Sequence, residues 1–424
     1  MSEQPSFPIP ENARADETTG RYIITFRDDA VTEGLDLLND QTGIRGLANA
    51  ADFPESALDL SQVEATGGAV FPTLGVAVVS LEEEALSGIM TSAADDSAIL
   101  AIEPERIFYA IGDGLSADYL EGYRDAVNHL YEKATNAQVA GLAARECFAD
   151  DIESTWGLKA TKALGSKLTG NGMKVAVLDT GMDLLHPDFN GRSIVSQSFV
   201  PGEDVQDGNS HGTHCIGTAC GFKDLNGRRY GIAYESTIYA GKVLSNAGSG
   251  NSGWILAGME WAIVNGCQVI SMSLGNTLPT PSTAYETVGR RALQNGCLIV
   301  AAAGNHGPGT VGQPANSASI MAVAALDSCL QVPDFSSPSG GSIGAKVNIA
   351  APGVNVYSSV PVNKGRYATF SGTSMATPHV AGLAALYAQW TGKRGSQLWQ
   401  VLTSHAMALP LPNDRVGSGL LQAP

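Results

Sequence analysis

The sequence predicts an α/β chain in two parts: a small α+β unit, then a doubly wound, mostly parallel sheet. Three observations carry that prediction. From about residue 151 onward, short apolar runs alternate with segments of helical period, the pattern of a buried parallel sheet covered by helices. Acidity is confined to residues 1–150, which hold 8 Lys+Arg against 27 Asp+Glu, while the remainder holds 17 against 15. Finally, 424 residues at 44% hydrophobic and 16% charged exceed one ordinary domain and can fill more than one core. The net charge of −17 gives no basic face for nucleic acid. No apolar run approaches the roughly 18 residues of a membrane span, so no membrane partner is expected.

The elements follow in order. Residues 1–20 are polar and proline-spaced, without the apolar core of a secretory signal, which leaves an intracellular post or a trimmed secreted chain as the alternatives. Within 21–111, strands are expected at 22–26, at 70–79 as a pair broken by Pro72 and Gly75, and at 99–102 and 107–110. Helices are expected at 31–38 and 82–90, giving the strand and helix order of a ferredoxin-like unit. Gly112, Asp113 and Gly114 then break the chain. Apolar residues at Tyr119, Tyr123, Val127, Leu130, Tyr131 and Ala134 predict a helical linker over 115–144, within a 112–150 connecting region.

Over 151–424, apolar strands are expected at 173–178, 238–243, 269–274, 298–303 and 320–325, with helices such as 254–264 and 282–294 between them. Ligands of such sheets bind at the carboxyl ends of the strands. Three chemistry-bearing residues sit where that edge would be. Asp179 ends a strand in Val177-Leu178-Asp179-Thr180-Gly181; His211 opens a helical run in Asn209-Ser210-His211-Gly212-Thr213-His214. Ser374 lies in Gly372-Thr373-Ser374-Met375-Ala376-Thr377-Pro378, with Pro378 suited to a helix's first turn. At a helix N-terminus, free N–H groups and the dipole favour a developing anion. A serine hydroxyl needs an imidazole to take its proton, and the imidazole a carboxylate to fix its tautomer. Asn305, ending another strand in Ala303-Gly304-Asn305, offers an amide to an oxyanion.

Those three blocks, in that order and over about 156–422, resemble the signature blocks of subtilisin-like serine proteases, and 21–110 resembles the family's inhibitory propeptide, partly through Ile102-Glu103-Pro104-Glu105. The resemblance implies a zymogen of a serine endopeptidase acting on protein or peptide substrates, with its own propeptide as intramolecular inhibitor and chaperone. Asp179 would orient His211, His211 would serve as general base and acid, and Ser374 would attack the peptide carbonyl. Asn305 and the Ser374 N–H would form the oxyanion hole. By the same resemblance, Ser273-Leu274-Gly275 and Gly248-Ser249-Gly250 would flank an extended substrate, and Ala302, Gly304 and Gly312 would line a primary pocket suited to a bulky apolar P1 side chain. Ser252 stands where many relatives carry an aromatic residue, which would open the P4 pocket. No cofactor is implied for the chemistry, and a monomer is expected. Asp188 matches a calcium-ligating position in relatives, but the loop 223–230 reads as too short to complete that site.

Other readings stand beside these. Asp179-Thr180-Gly181 alone could mark an aspartic protease, but no second such turn occurs. His211, His214 and Cys215 share one helical face and could hold a metal. Otherwise His214 and His379 read as buried, hydrogen-bonded core residues, and Cys215 as lying beneath the site. A maturation protease dedicated to one peptide and a catalytically silent scaffold are the rival functions. Six cysteines, five of them after residue 150, leave at least one thiol there free or paired outside that region.

Overall fold

The computed structural model describes residues 17–42, 47–52, 67–92, 98–111, 147–340 and 345–424. The helix expected over 115–144 lies outside the described residues.

The N-terminal unit comprises β1 (Thr18–Phe26), α1 (Val31–Thr42), β2 (Ala48–Asn49), β3 (Gly68–Phe71), β4 (Val76–Val79), α2 (Glu83–Ser92) and β5 (Ile99–Ala110). Its sheet runs β5-β1-β4-β3-β2, with β1 antiparallel to both β4 and β5. The two closing strands expected from the sequence are one continuous strand, because β5 pairs with β1 through Pro104. Alternate residues split the sheet between two cores. Ile24, Phe26, Val79 and Ile99 meet Leu38 and Ile89 of the two helices. Ile23, Phe71, Val76, Val78 and Phe108 face the other way, into the core of the larger body.

That body contains α3 (Trp156–Ala160), β6 (Lys174–Asp179), β7 (Ile194–Ser198), α4 (His211–Cys220), β8 (Thr237–Lys242), β9 (Ser249–Asn251), α5 (Ser252–Val264), β10 (Val269–Met272), β11 (Leu274–Gly275) and α6 (Thr283–Gln294). There follow β12 (Leu298–Ala302), β13 (Met321–Leu326), β14 (Ile349–Pro352), β15 (Val356–Ser359), β16 (Tyr367–Phe370), α7 (Thr373–Thr391), α8 (Gly395–His405) and α9 (Asn413–Val416). Seven strands form a parallel sheet in the order β14-β13-β12-β10-β6-β8-β7. Val175, Val177, Val300 and Val323 point to α4 and α7, meeting Ile216, Val380 and Leu383. Ala176, Leu178, Ile270 and Ile299 point to α5 and α6, meeting Leu256, Met259 and Val288. This is the doubly wound arrangement expected from the alternation.

Cys147, a few residues before 151, is already tied to the packed body. Cys147 is disulfide-bonded to Cys329, and Phe148 N–H donates to Ser328 O at 2.8 Å. The other four cysteines are free and buried. Among the described residues, no helix is long and apolar enough to cross a membrane.

Candidate active site

The carboxyl ends of β6 and β12 and the N-termini of α4 and α7 converge on one point. Asp179 closes β6, and its Oδ1 lies 2.7 Å from His211 Nδ1 and accepts Thr180 N–H at 2.7 Å. Both side chains are buried. Burial works against a charged His211, but the Asp179 carboxylate outweighs it and raises the imidazole's pKa well above 6.5. His211 Nε2 is buried without a hydrogen-bond partner among the described residues, as is Asp179 Oδ2.

The register of α4 against β6 is set by Asp207, a residue that sequence reasoning missed. Its buried carboxylate accepts from Thr180 Oγ1, the N–H groups of Asn209, Ser210 and Thr213, and Thr213 Oγ1. Thr180 Oγ1 in turn accepts Gly212 N–H at 2.8 Å. Gly212 has to be glycine here, since a Cβ would stand 2.3 Å from Gly181 O. The only hint in the sequence is an Asp shortly before a helix start.

Ser374 lies in the first turn of α7 and is fully buried. Pro378 sits inside that helix rather than in its first turn, correcting the sequence expectation. A proline there deprives the carbonyl four residues earlier, that of Ser374, of its helical donor. Ser273 Oγ supplies one instead at 2.8 Å, and Cys215 Sγ approaches the same oxygen at 3.6 Å. Ser374 Oγ donates to Ser273 O at 3.1 Å. Asn305, following β12, accepts the N–H and Oγ1–H of Thr373 on its Oδ1 at 2.9 Å each, which turns its Nδ2 outward into the cleft.

The cleft is occupied by the chain's own β5. Strand β9 pairs antiparallel with it on one side (Phe108 with Gly250, Tyr109 with Ser249), and β11 on the other (Ala110 with Leu274, Tyr109 with Gly275). Ala110 N–H donates to Gly248 O at 2.8 Å and Ile111 N–H to Ser273 O at 3.2 Å. All six flanking residues expected from the sequence thus meet an extended strand. The Ile111 carbonyl faces Asn305 Nδ2 at 3.5 Å. The Ile111 side chain lies over Gly275, where a Cβ would come within 2.9 Å of its Cδ1. Ala302 is buried at the end of β12, and Gly312 abuts Asn276 O. Gly304 lies under the ring of His306, a wall residue that the sequence reading passed over. Ser252 is buried and bonds the backbone of Arg106. The space beside it holds Phe108, packed edge-on against Tyr285 at 5.4 Å.

His214 and Asp188 are each engaged by the protein's own groups. His214 does not share a metal face with His211, because its Nε2 bonds Val356 O at 3.0 Å and its ring stacks on Phe370. His379 likewise bonds Met375 O at 2.8 Å. Cys215 Sγ does lie beneath the site, 3.9 Å from His211 Nδ1. The surroundings of Asp188 do not fit calcium. Its Oδ1 accepts the Tyr367 phenol at 2.9 Å and its Oδ2 the Tyr230 phenol at 2.8 Å. Burial first, and the facing carboxylate next, push both phenols up, so each keeps the proton that it donates. The 223–230 loop turns its own Asp224 back onto the N–H groups of Asn226 and Arg228 and onto the Tyr357 hydroxyl. Both Asp188 oxygens are thus engaged by phenols.

Residues 170–419 match the family model described as the subtilase family, and the chain belongs to that family. It is 46% identical over 235 residues to the subtilisin of Bacillus pumilus, covering 54% of this chain and 81% of that protein. It is 44% identical over 276 residues to subtilisin Savinase of Lederbergia lenta, covering 63% of this chain and 96% of the relative. Against subtilisin NAT of Bacillus subtilis subsp. natto the identity is 46%, over 54% of this chain and 58% of the relative. The protein is a serine endopeptidase, a hydrolase of protein substrates.

Proposed function

We propose that the chain is a zymogen whose acyl-enzyme chemistry runs on Ser374, His211 and Asp179, and whose N-terminal unit, 21–111, is its inhibitory propeptide. Ser374 Oγ turns from Ser273 O toward His211 Nε2, gives up its proton there and attacks the substrate carbonyl. Asp179 holds Nδ1–H and so leaves Nε2 as the base, stabilising the imidazolium as it forms. Asn305 Nδ2 and the Ser374 N–H receive the developing oxyanion. His211 then protonates the leaving amine, and water repeats the sequence to release the acid. Residues 248–250 and 273–275 hold a substrate by strand addition. Gly275, Gly304, Gly312 and Ala302 leave room for a bulky apolar P1 side chain.

The observation that carries this reading is β5 lying between β9 and β11 with the Ile111 carbonyl at the Asn305 amide, the posture of a bound substrate. A fluorophosphonate probe tests the chemistry. One label on the catalytic chain, mapped to Ser374 and abolished by Ser374→Ala, is expected; labelling elsewhere, or none after the N-terminal unit is removed, overturns it. Broad cleavage of unfolded casein is expected, whereas an enzyme dedicated to one peptide would leave it nearly intact.

A further inference from the structure

We infer that Ile111–Gly112 is the bond at which this chain first processes itself, and that 112–146 remains on the catalytic chain after the cut. The inference rests on the catalytic reading above. Four successive residues occupy successive places in the cleft. Phe108 is fully buried against Tyr285, Tyr109 and Ala110 pair on both sides, and Ile111 sits over Gly275 with its N–H on Ser273 O. The register is closed by the carbonyls. The Ile111 oxygen faces the Asn305 amide, and a Cβ on Gly372, the residue capping α7, would stand 3.2 Å from that oxygen and 2.9 Å from Asn305 Nδ2. A slip of one residue would turn every side chain to the other face of the strand and drive Phe108 out of its pocket. The carbonyl presented to the nucleophile is therefore that of Ile111 and no other.

The step balances as ordinary hydrolysis. Ser374 Oγ bonds the Ile111 carbonyl carbon while its proton passes to His211, and the C–N bond to Gly112 breaks as that nitrogen takes the proton back. Water then adds to the acyl carbon, giving its proton through His211 to Ser374. The products are an Ile111 carboxylate and a free Gly112 amine. The Ile111 carboxylate stays at the end of β5, held by the same strand bonds, so the product is also the inhibitor. The Gly112 end remains attached through residue 147, where the Cys147–Cys329 disulfide fastens the chain to the body. Removal of 112–146 requires a second, separate cut.

Intact-mass analysis of the freshly folded full chain, with a fluorophosphonate label in parallel, decides the matter. The released N-terminal fragment is expected to end at Ile111 and the labelled partner to start at Gly112, with Ser374→Ala left whole. Gly112→Pro, whose ring crowds the leaving nitrogen, should slow the first cut at least about tenfold while leaving the fold and β5 untouched. An N-terminal fragment ending anywhere else, or a labelled chain that never cuts itself, overturns the assignment yet leaves the nucleophile standing. An unlabelled Ser374 overturns the catalytic reading itself.

Discussion

Ser374 shows how one helix serves two purposes. A nucleophile at a helix start gains the free N–H groups of the first turn, but its own carbonyl would ordinarily be tied to the residue four places on. Pro378 releases that carbonyl, and Ser273 Oγ takes it up, which fixes the α7 terminus against β11. Ser273→Ala should therefore leave Ser374 O underbonded and lower stability by about 1–3 kcal/mol, read by chemical denaturation of the Ser374→Ala background. For the chemistry, Asn305→Ala is expected to cost about 10²–10³ in kcat with KM little changed, a loss already measured for an oxyanion-hole asparagine of this same family. On the proposed mechanism, His211 sets the pH response. Because Asp179 raises its pKa, the base form is populated only above 6.5, so kcat/KM should climb with pH through a midpoint above that value. Asp179→Asn should abolish that climb along with most of the activity. At this scale the sequence was most informative. Asp179, His211, Asn305 and Ser374 stood at strand ends and helix starts that could be read one at a time. Asp207, Tyr285 and His306 were missed because their roles exist only once distant backbone converges on them.

At the scale of elements, the acidic N-terminal unit and the near-neutral body meet through helix ends. Glu105, fully buried, accepts Gly253 N–H at 2.7 Å at the start of α5, and also pairs with Arg21 at 2.6 Å. Glu103 accepts the N–H groups of Thr283 and Ala284 and the Ser282 hydroxyl at the start of α6. The body also reaches back through Glu260 of α5, which accepts the N–H groups of Thr73 and Leu74 in the turn between β3 and β4. Helix N-termini carry partial positive charge without any basic residue, so a net charge near zero conceals local attraction. Net charges summed over the two parts do not register that source. Glu105→Gln keeps the shape and removes the charge; it should weaken the docked unit by about 1–2 kcal/mol. After processing, activity against a peptide reporter would then emerge roughly tenfold sooner, since about 1.4 kcal/mol is a factor of ten; an unchanged lag would show that the Glu105 charge does not help to hold the unit. Two strands of the large sheet, β7 and β14, were not foreseen. Only partly buried, β7 at the sheet edge carries a polar Ser-Gln-Ser tail, and β14 is a four-residue run stopped by Pro352, so neither shows the long apolar stretch of an inner parallel strand.

For the whole molecule, proton binding pulls stability in two directions. His214 and His379 lie buried against α7 and its neighbours, and burial lowers their pKa values to about 3 and about 4. Their neutral forms belong to the fold, so the stability they contribute is complete above the unfolded value of about 6.5 and is lost as pH falls from there toward 4. His211 acts oppositely. Its raised pKa makes the charged form the folded one, so its contribution is complete below about 6.5 and fades as pH rises through the raised value. The enzyme thus sheds core stability in acid, while the imidazole that must be neutral for catalysis is most stabilising there as a cation. Denaturant midpoints of the Ser374→Ala chain, which cannot digest itself, should fall between pH 6.5 and pH 4. His379→Gln tests the source. Gln lacks a group that titrates in this range, so it should flatten that fall even if it lowers the midpoint at pH 7, where the close approach of Gly157 to His379 Nε2 leaves little room for repacking. A fall of unchanged steepness would assign the acid sensitivity to groups other than His379. The disulfide lies outside this balance because Cys147 and Cys329 do not titrate while bonded. Their pairing, across a sequence separation of 182, was beyond any spacing argument. Its removal by Cys329→Ser should lower the midpoint equally at every pH, because it frees the unfolded chain rather than changing a proton's affinity, and that parallel shift separates its contribution from the histidines'.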